Sequence, residues 1–168
     1  MSVLWLNGAF GVGKTTVARA VRARVRGAVI VDPERIGWIL RRATARGRRA
    51  YDFQELDAWR TWTTRAVRAA GRFASLVIVP MTVDDATRRA ALFDALDDVL
   101  HVVLRAEPAT IAARLAGRGS SAWIDARNRT CIPALAALEP HVATDDRDVE
   151  AIADEIVALY ANASRIAG

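Results

Sequence analysis

The stretch Leu4-Trp5-Leu6-Asn7-Gly8-Ala9-Phe10-Gly11-Val12-Gly13-Lys14-Thr15-Thr16 decides the fold. Its apolar lead-in, Val3 to Leu6, predicts a short buried strand. That strand runs into Gly8-x-x-x-x-Gly13-Lys14-Thr15, the pattern of a phosphate-binding loop. Glycines let several N–H groups converge on one anion, because the backbone can take conformations that a side chain would strain. A helix starting near Gly13 adds its own free N–H groups and the positive end of its dipole. The expected nucleotide ligands are therefore Gly8, Gly11, Val12, Gly13, Lys14, Thr15 and Thr16. Lys14 would reach the β- and γ-phosphates of ATP, and the Thr15 hydroxyl would ligate Mg²⁺. Of the 24 basic side chains, 23 are Arg and one is Lys, and that one is Lys14. A compact ammonium is not interchangeable with a planar guanidinium, so the lone Lys stands where geometry asks for it.

Around this stretch, 168 residues of 52% hydrophobic composition predict one α/β domain over residues 1–168, with a sizeable core. A net charge of +5 favours anionic ligands, but the 19 acidic residues are interspersed among the arginines as a solvated mixed surface. No aromatic–basic module of a nucleic-acid reader is present, so nucleic acid is not an expected partner. The single cysteine, Cys131, excludes an intramolecular disulfide and suits a reducing compartment. Neither a signal peptide nor an apolar run of membrane-spanning length occurs, and the expectation is a cytoplasmic protein. Oligomeric state is not legible.

Downstream, helical and strand-like segments alternate. Val17, Ala18, Val21 and Val25 predict a helix over Thr16 to Arg26, followed by a strand at Ala28 to Val31. Pro33 opens a helix with Ile36, Ile39 and Leu40 inward. A basic connection from Thr44 to Tyr51 precedes a long helix from Asp52 to Gly71, with Trp59 inward and Trp62 off the core face. Strands follow at Ser75–Pro80 and Val99–Leu104, with a helix between them capped by Asp84 or Asp85. Pro108 begins a helix ending at Gly117-Arg118-Gly119. Ser120 to Arg129 reads as an Arg-bearing lid, within residues 117–130. A short helix near Pro133–Leu138, a fifth strand at His141–Thr144 and a last helix from Val149 complete the chain. Such alternation predicts a parallel sheet with helices on both faces.

Beyond the loop, Asp32 ends the second strand, at the carboxyl edge where α/β sheets bind ligands. It is the candidate base for an acceptor hydroxyl and a second Mg²⁺ contact, with Glu34 the weaker candidate. The third strand ends in Pro80-Met81-Thr82, with no acid where many phosphate-loop proteins hold the metal, and Thr82 is left to touch substrate. Arg114 and Arg118 share a helix face and, with Arg127 and Arg129, are candidates to clamp the transferred phosphoryl group. Cys131 reads as a buried small residue.

Together these residues resemble the ATP-binding tunicamycin-resistance proteins of bacteria. That group lies within the kinase-like phosphate-loop proteins that include nucleoside-monophosphate, shikimate and chloramphenicol kinases. The matching pieces are Asn7-Gly8-Ala9-Phe10-Gly11-x-Gly13-Lys14-Thr15, Asp32-Pro33-Glu34 with Gly37, and Asp52-Phe53-Gln54 with Trp59-Arg60. Val79-Pro80-Met81-Thr82, Arg114-Leu115 and the Trp123-to-Cys131 spacing complete them. The resemblance implies a three-layer α/β/α fold with a five-stranded parallel sheet in the order 2-3-1-4-5. It implies ATP on the loop, an Arg-bearing lid, and ATP-dependent handling of a small molecule such as a nucleoside antibiotic. One trait does not transfer. The group's carboxyl-terminal segment is linked with membrane association, whereas here Asp148, Glu150, Asp154 and Glu155 would be repelled by an anionic surface. Two functions stay open: a kinase moving the ATP γ-phosphate to a hydroxyl, with Lys14, Asp32, Arg118 and Arg127 catalytic, or an ATP-dependent binder that sequesters a drug without chemistry.

Overall fold

The structure is a computed structural model, and it describes residues 1–43, 54, 56–117 and 121–166. Five parallel strands form one sheet in the order β2-β3-β1-β4-β5. They are β1 (Val3–Gly8), β2 (Ala28–Ile30), β3 (Leu76–Pro80), β4 (Val99–Arg105) and β5 (His141–Ala143). The helices are α1 (Lys14–Arg24), α2 (Pro33–Ala43), α3 (Asp57–Ala70), α4 (Ala86–Asp94), α5 (Pro108–Ala116), α6 (Ala122–Leu135) and α7 (Val149–Ile166). The expected strand order and α/β/α layering are those observed.

Strand alternation sorts the core into layers. Leu4 and Leu6 of β1 face α1 and α7, packing with Val17, Val21, Ile152 and Ile156. Val3 and Trp5 face the other way, onto Trp59, Val67 and Leu92. Because β1 lies at the centre, its six residues are all buried, and the loop that follows is anchored from below. On the outside, Arg24 of α1 pairs with Glu150 and Asp154 of α7, each at 2.5 Å. The acids of the last helix are thus partly spent within the fold. No helix among the described residues is long and apolar enough to cross a membrane.

Two expectations change. The segment read as a polar lid loop followed by a short helix is a single helix, α6, of 14 residues. Ser121 caps it by accepting from the Ile124 N–H, and Pro133 sits in its last turn, where the missing N–H costs least. A Pro near a helix end was mistaken for a new start. Helix α1 stops at Arg24, before the expected Arg26, and Gly27 supplies the left-handed turn (φ 80°) into β2. The Thr44–Tyr51 connection, the Asp52-Phe53 segment, Arg118 and Gly119 lie outside the described residues.

Candidate functional site

The strand–loop–helix unit forms as its residue types require. Gly8, Gly11 and Gly13 have φ of 141°, 89° and 108°, the region that side chains avoid. At Gly8 a Cβ would also meet the Leu104 carbonyl oxygen at 2.6 Å, so the loop crosses β4 at a distance only glycine allows. Gly13 caps α1 with no side-chain hydrogen bond, and the first turn of α1 holds no acid. The N–H groups of that turn therefore remain available to a ligand.

A cleft of about 140 Å³ opens over this helix start. Phe10, Lys14, Thr15, Thr16, Asp32 and Glu34 are among its walls. The Lys14 ammonium is buried, donates to the carbonyls of Gly8 and Ala9 at 2.9 Å each, and lies 5.4 Å from the centre of the Phe10 ring. Burial lowers its pKa to about 8, against the opposing pull of the Glu34 carboxylate. Glu34 is shifted in the other direction: burial raises its pKa, Lys14 opposes the rise, and the neighbouring Asp32 adds to it. Asp32 Oδ1 accepts from the Glu34 N–H at 3.0 Å, so this carboxylate caps α2 while lining the cleft. Trp59 of α3 donates through Nε1 to the Pro33 carbonyl at 3.0 Å and fixes where α2 begins.

Behind the cleft, the loop is braced by side chains that sequence reasoning did not assign. Asn7 is fully buried. Its Oδ1 accepts from the N–H groups of Gly8 and Val83, both at 2.9 Å. Its Nδ2 donates to the Val83 carbonyl at 2.9 Å and lies 3.1 Å from His101 Nε2. Burial and the Arg89 charge lower the His101 pKa to about 4, so the ring is neutral and can accept this bond. Thr82, expected to touch substrate, donates instead to the Gly8 carbonyl at 2.7 Å. Gln54 Nε2 holds the Thr82 carbonyl at 3.0 Å.

From α6, Asn128 clamps Phe10 on both sides. Its Oδ1 accepts from the Phe10 N–H at 2.9 Å, and its Nδ2 donates to the Phe10 carbonyl at 3.0 Å. The Phe10 ring meets Trp123 edge-on, with centroids 5.4 Å apart. Arg127, the candidate clamp, pairs with Asp84 at 2.9 Å. Asp84 is thus the acid near the end of β3, two residues beyond Thr82, and read from sequence it was only a possible helix cap. Arg114 lies behind the loop: its Nη1 donates to the Val12 carbonyl (3.1 Å) and Thr144 Oγ1 (3.0 Å), and its Nη2 to the Thr144 carbonyl (2.7 Å). It braces the loop, and Val12 presents its carbonyl to that brace. Cys131 is buried as expected, and burial, with Asp84 adding, pushes its thiol pKa up. No signal short of a fold marks Asn128 or Thr144, since each lies more than a hundred residues from the loop it supports.

A strand-to-helix phosphate loop, a central position of its strand and a 2-3-1-4-5 sheet are now established. The family profile that matches residues 3–139 is the AAA domain. The chain belongs to the AAA domain family. Its members' fold here is kinase-like, and solved structures share it along nearly the whole chain. The Deinococcus radiodurans tunicamycin resistance protein superposes with a TM-score of 0.77 at 28% identity, over 95% of this chain and 95% of that one. A sugar kinase from Janibacter sp. HTCC2649 gives a TM-score of 0.70 at 20% identity, over 94% and 93% of the two chains. A Mycobacterium tuberculosis APS kinase, solved with AMPPNP and APS, gives 0.60 at 20% identity, over 95% and 96%. No curated protein sequence matches the chain.

Proposed function

We propose that the chain is a small-molecule kinase that moves the γ-phosphate of ATP to a hydroxyl group. The observation that carries this reading is the meeting of Lys14, Thr15, Asp32 and Glu34 in one cleft at an uncapped helix start. The loop amides and Lys14 bind the phosphates. Lys14 leaves two backbone carbonyls to do so, and polyphosphate charge restores the proton affinity that burial lowers. The donor set fits Mg²⁺: the Thr15 hydroxyl and the Asp32 carboxylate share the cleft, and such an ion takes one or two protein oxygens together with phosphate oxygens. When bound, the ion neutralises charge developing on the phosphates.

Asp32 accepts the acceptor's proton in this reading. Glu34 is a second candidate on a specific observation: its raised pKa makes it the better proton acceptor, while one Asp32 oxygen is committed to the cap. Helix α6 with its flanks, residues 117–130, acts as the lid. Its movement toward the cleft would break the Arg127–Asp84 pair and turn Arg127, with Arg118 and Arg129, toward the phosphates. The acceptor is a small molecule of the class that includes nucleoside antibiotics, as the likeness to a tunicamycin resistance protein supports. The site of action in this reading is the cytoplasm.

Acceptor-dependent release of ADP from Mg-ATP, measured across nucleosides, sugars and antibiotics that raise the Tm in the presence of Mg-ATP, tests the reading. Compounds that raise the Tm without ADP release would establish sequestration without chemistry.

A further inference from the structure

Four tryptophans divide into two kinds. Trp5 and Trp59 are fully buried, with their indole N–H groups bonded to the carbonyls of Met81 and Pro33. Trp38 and Trp123 are 63% and 49% exposed. The core has room for indoles, so the second pair stands in water for another reason. Both connect to the cleft. Trp38 follows Glu34 by four residues on α2, which places it one turn along the face that presents Glu34 to the cleft. Trp123 leans on Phe10, itself a wall of the cleft, and leaves its other ring face open. The fifth tryptophan, Trp62, has no such link and carries the Arg65 guanidinium 5.6 Å from its ring centre.

We propose that the acceptor carries a flat unsaturated ring, held against the indoles of Trp38 and Trp123, beside the hydroxyl that meets Asp32 and Glu34. The site rests on the kinase reading above and narrows its substrate class. An indole face offers dispersion and a negative quadrupole, with one N–H at its edge. It rewards a planar ring and gives little to a ringless polyhydroxyl compound, whose many donors and acceptors would lie unpaired against it. Stacking of a base on an aromatic side chain is worth roughly five- to a hundred-fold in affinity, and every flat ring has such a face.

The test uses matched probes differing only in the ring: uridine against methyl β-ribofuranoside, and phenyl against methyl β-glucopyranoside. Binding is measured by calorimetry on the full chain with AMPPNP present, so turnover is not required. The ring-bearing member of at least one pair should bind five-fold or more tightly. That advantage should fall below two-fold in the Trp38→Ala/Trp123→Ala double variant and largely return with Phe at both positions. Both side chains are exposed, and a far-ultraviolet circular dichroism melt checks the fold. Should the Ala variant melt early, the Trp38→Gln/Trp123→Gln variant takes its place. An advantage under five-fold in both pairs, or one that survives removal of both indoles, overturns the proposal. So does a wild-type dimer that Trp38→Ala dissolves, because Trp38 would then belong to a contact between copies. Tight binding of a ring-bearing probe without ADP release would instead sink the kinase reading and leave the ring site standing.

Discussion

Helices α1 and α6 begin within reach of the same loop residue, Phe10, and their first turns are built in opposite ways. Helix α1 starts at a left-handed glycine with no side-chain cap and no acid, so its orphan N–H groups stay free. Helix α6 starts at Ser121, whose hydroxyl accepts the Ile124 N–H, and Asp125 sits in its first turn against the dipole. A cap stabilises a helix by satisfying donors, and those same donors are what an anion needs. The end that forgoes local stability is the one that can hold phosphate. The end that keeps it can serve as a rigid arm bearing Trp123, Arg127 and Asn128.

The comparison breaks most visibly at Lys14. Lys14→Ala should weaken ATP binding on the order of a hundred-fold, the loss of two or so charge-assisted bonds, and abolish turnover. The Tm should hold, because the variant removes a buried charge rather than packing. Lys14→Arg should fail as well, since a planar guanidinium does not fit between the Gly8 and Ala9 carbonyls. Calorimetry with ATP reads both, and full affinity in either would remove the loop from the account.

Next in size is the base. Asn caps a helix about as well as Asp, so Asp32→Asn keeps the start of α2 and isolates the chemistry. If Asp32 takes the proton, turnover should drop roughly 10²–10⁴-fold with ATP affinity little changed. Glu34→Gln run beside it assigns the role, because only the true base should show the large loss in kcat.

A smaller effect comes from pH. Phosphate binding requires the charged form of Lys14, whose pKa in the free protein is about 8. ATP affinity should therefore be full below about pH 8 and fall above it, by up to about ten-fold per unit, until the higher pKa of the bound state is reached. The same depressed pKa means that the folded chain gains stability from this group as pH rises from about 8 toward the unfolded value. Lys14→Ala should lack both slopes. A flat affinity profile in the wild type would show that the ammonium does not reach the phosphates.

The smallest effect is at the closed helix end. Ser121→Ala should cost about 1 kcal/mol in stability, the usual worth of such a cap, and leave ATP affinity unchanged. A matching loss of ATP affinity would mean that the start of α6 takes part in binding, and the contrast with α1 would fall.

Sequence alone determined the parts that short-range chemistry dictates. The alternation of Val3 to Leu6 and the glycine spacing up to Lys14 require a buried strand, a left-handed loop and a helix start, whatever surrounds them. Asp32 was legible because a strand end followed by Pro33 places it at the carboxyl edge. Burial of Trp59 and exposure of Trp62 followed from helical periodicity, and both are observed. What only the tertiary structure decided are the contacts between distant segments. Asn128 holding Phe10, Thr144 with Arg114 behind Val12, and Arg127 on Asp84 join residues 43 to 132 positions apart. Hydrogen bonds of this kind depend on donor and acceptor meeting within about 3 Å, and no local pattern encodes which helix the fold lays across the loop. For the same reason Ser120 to Arg129 read as a polar loop: its apolar residues make sense only once Phe10 and the cleft are in place beside them.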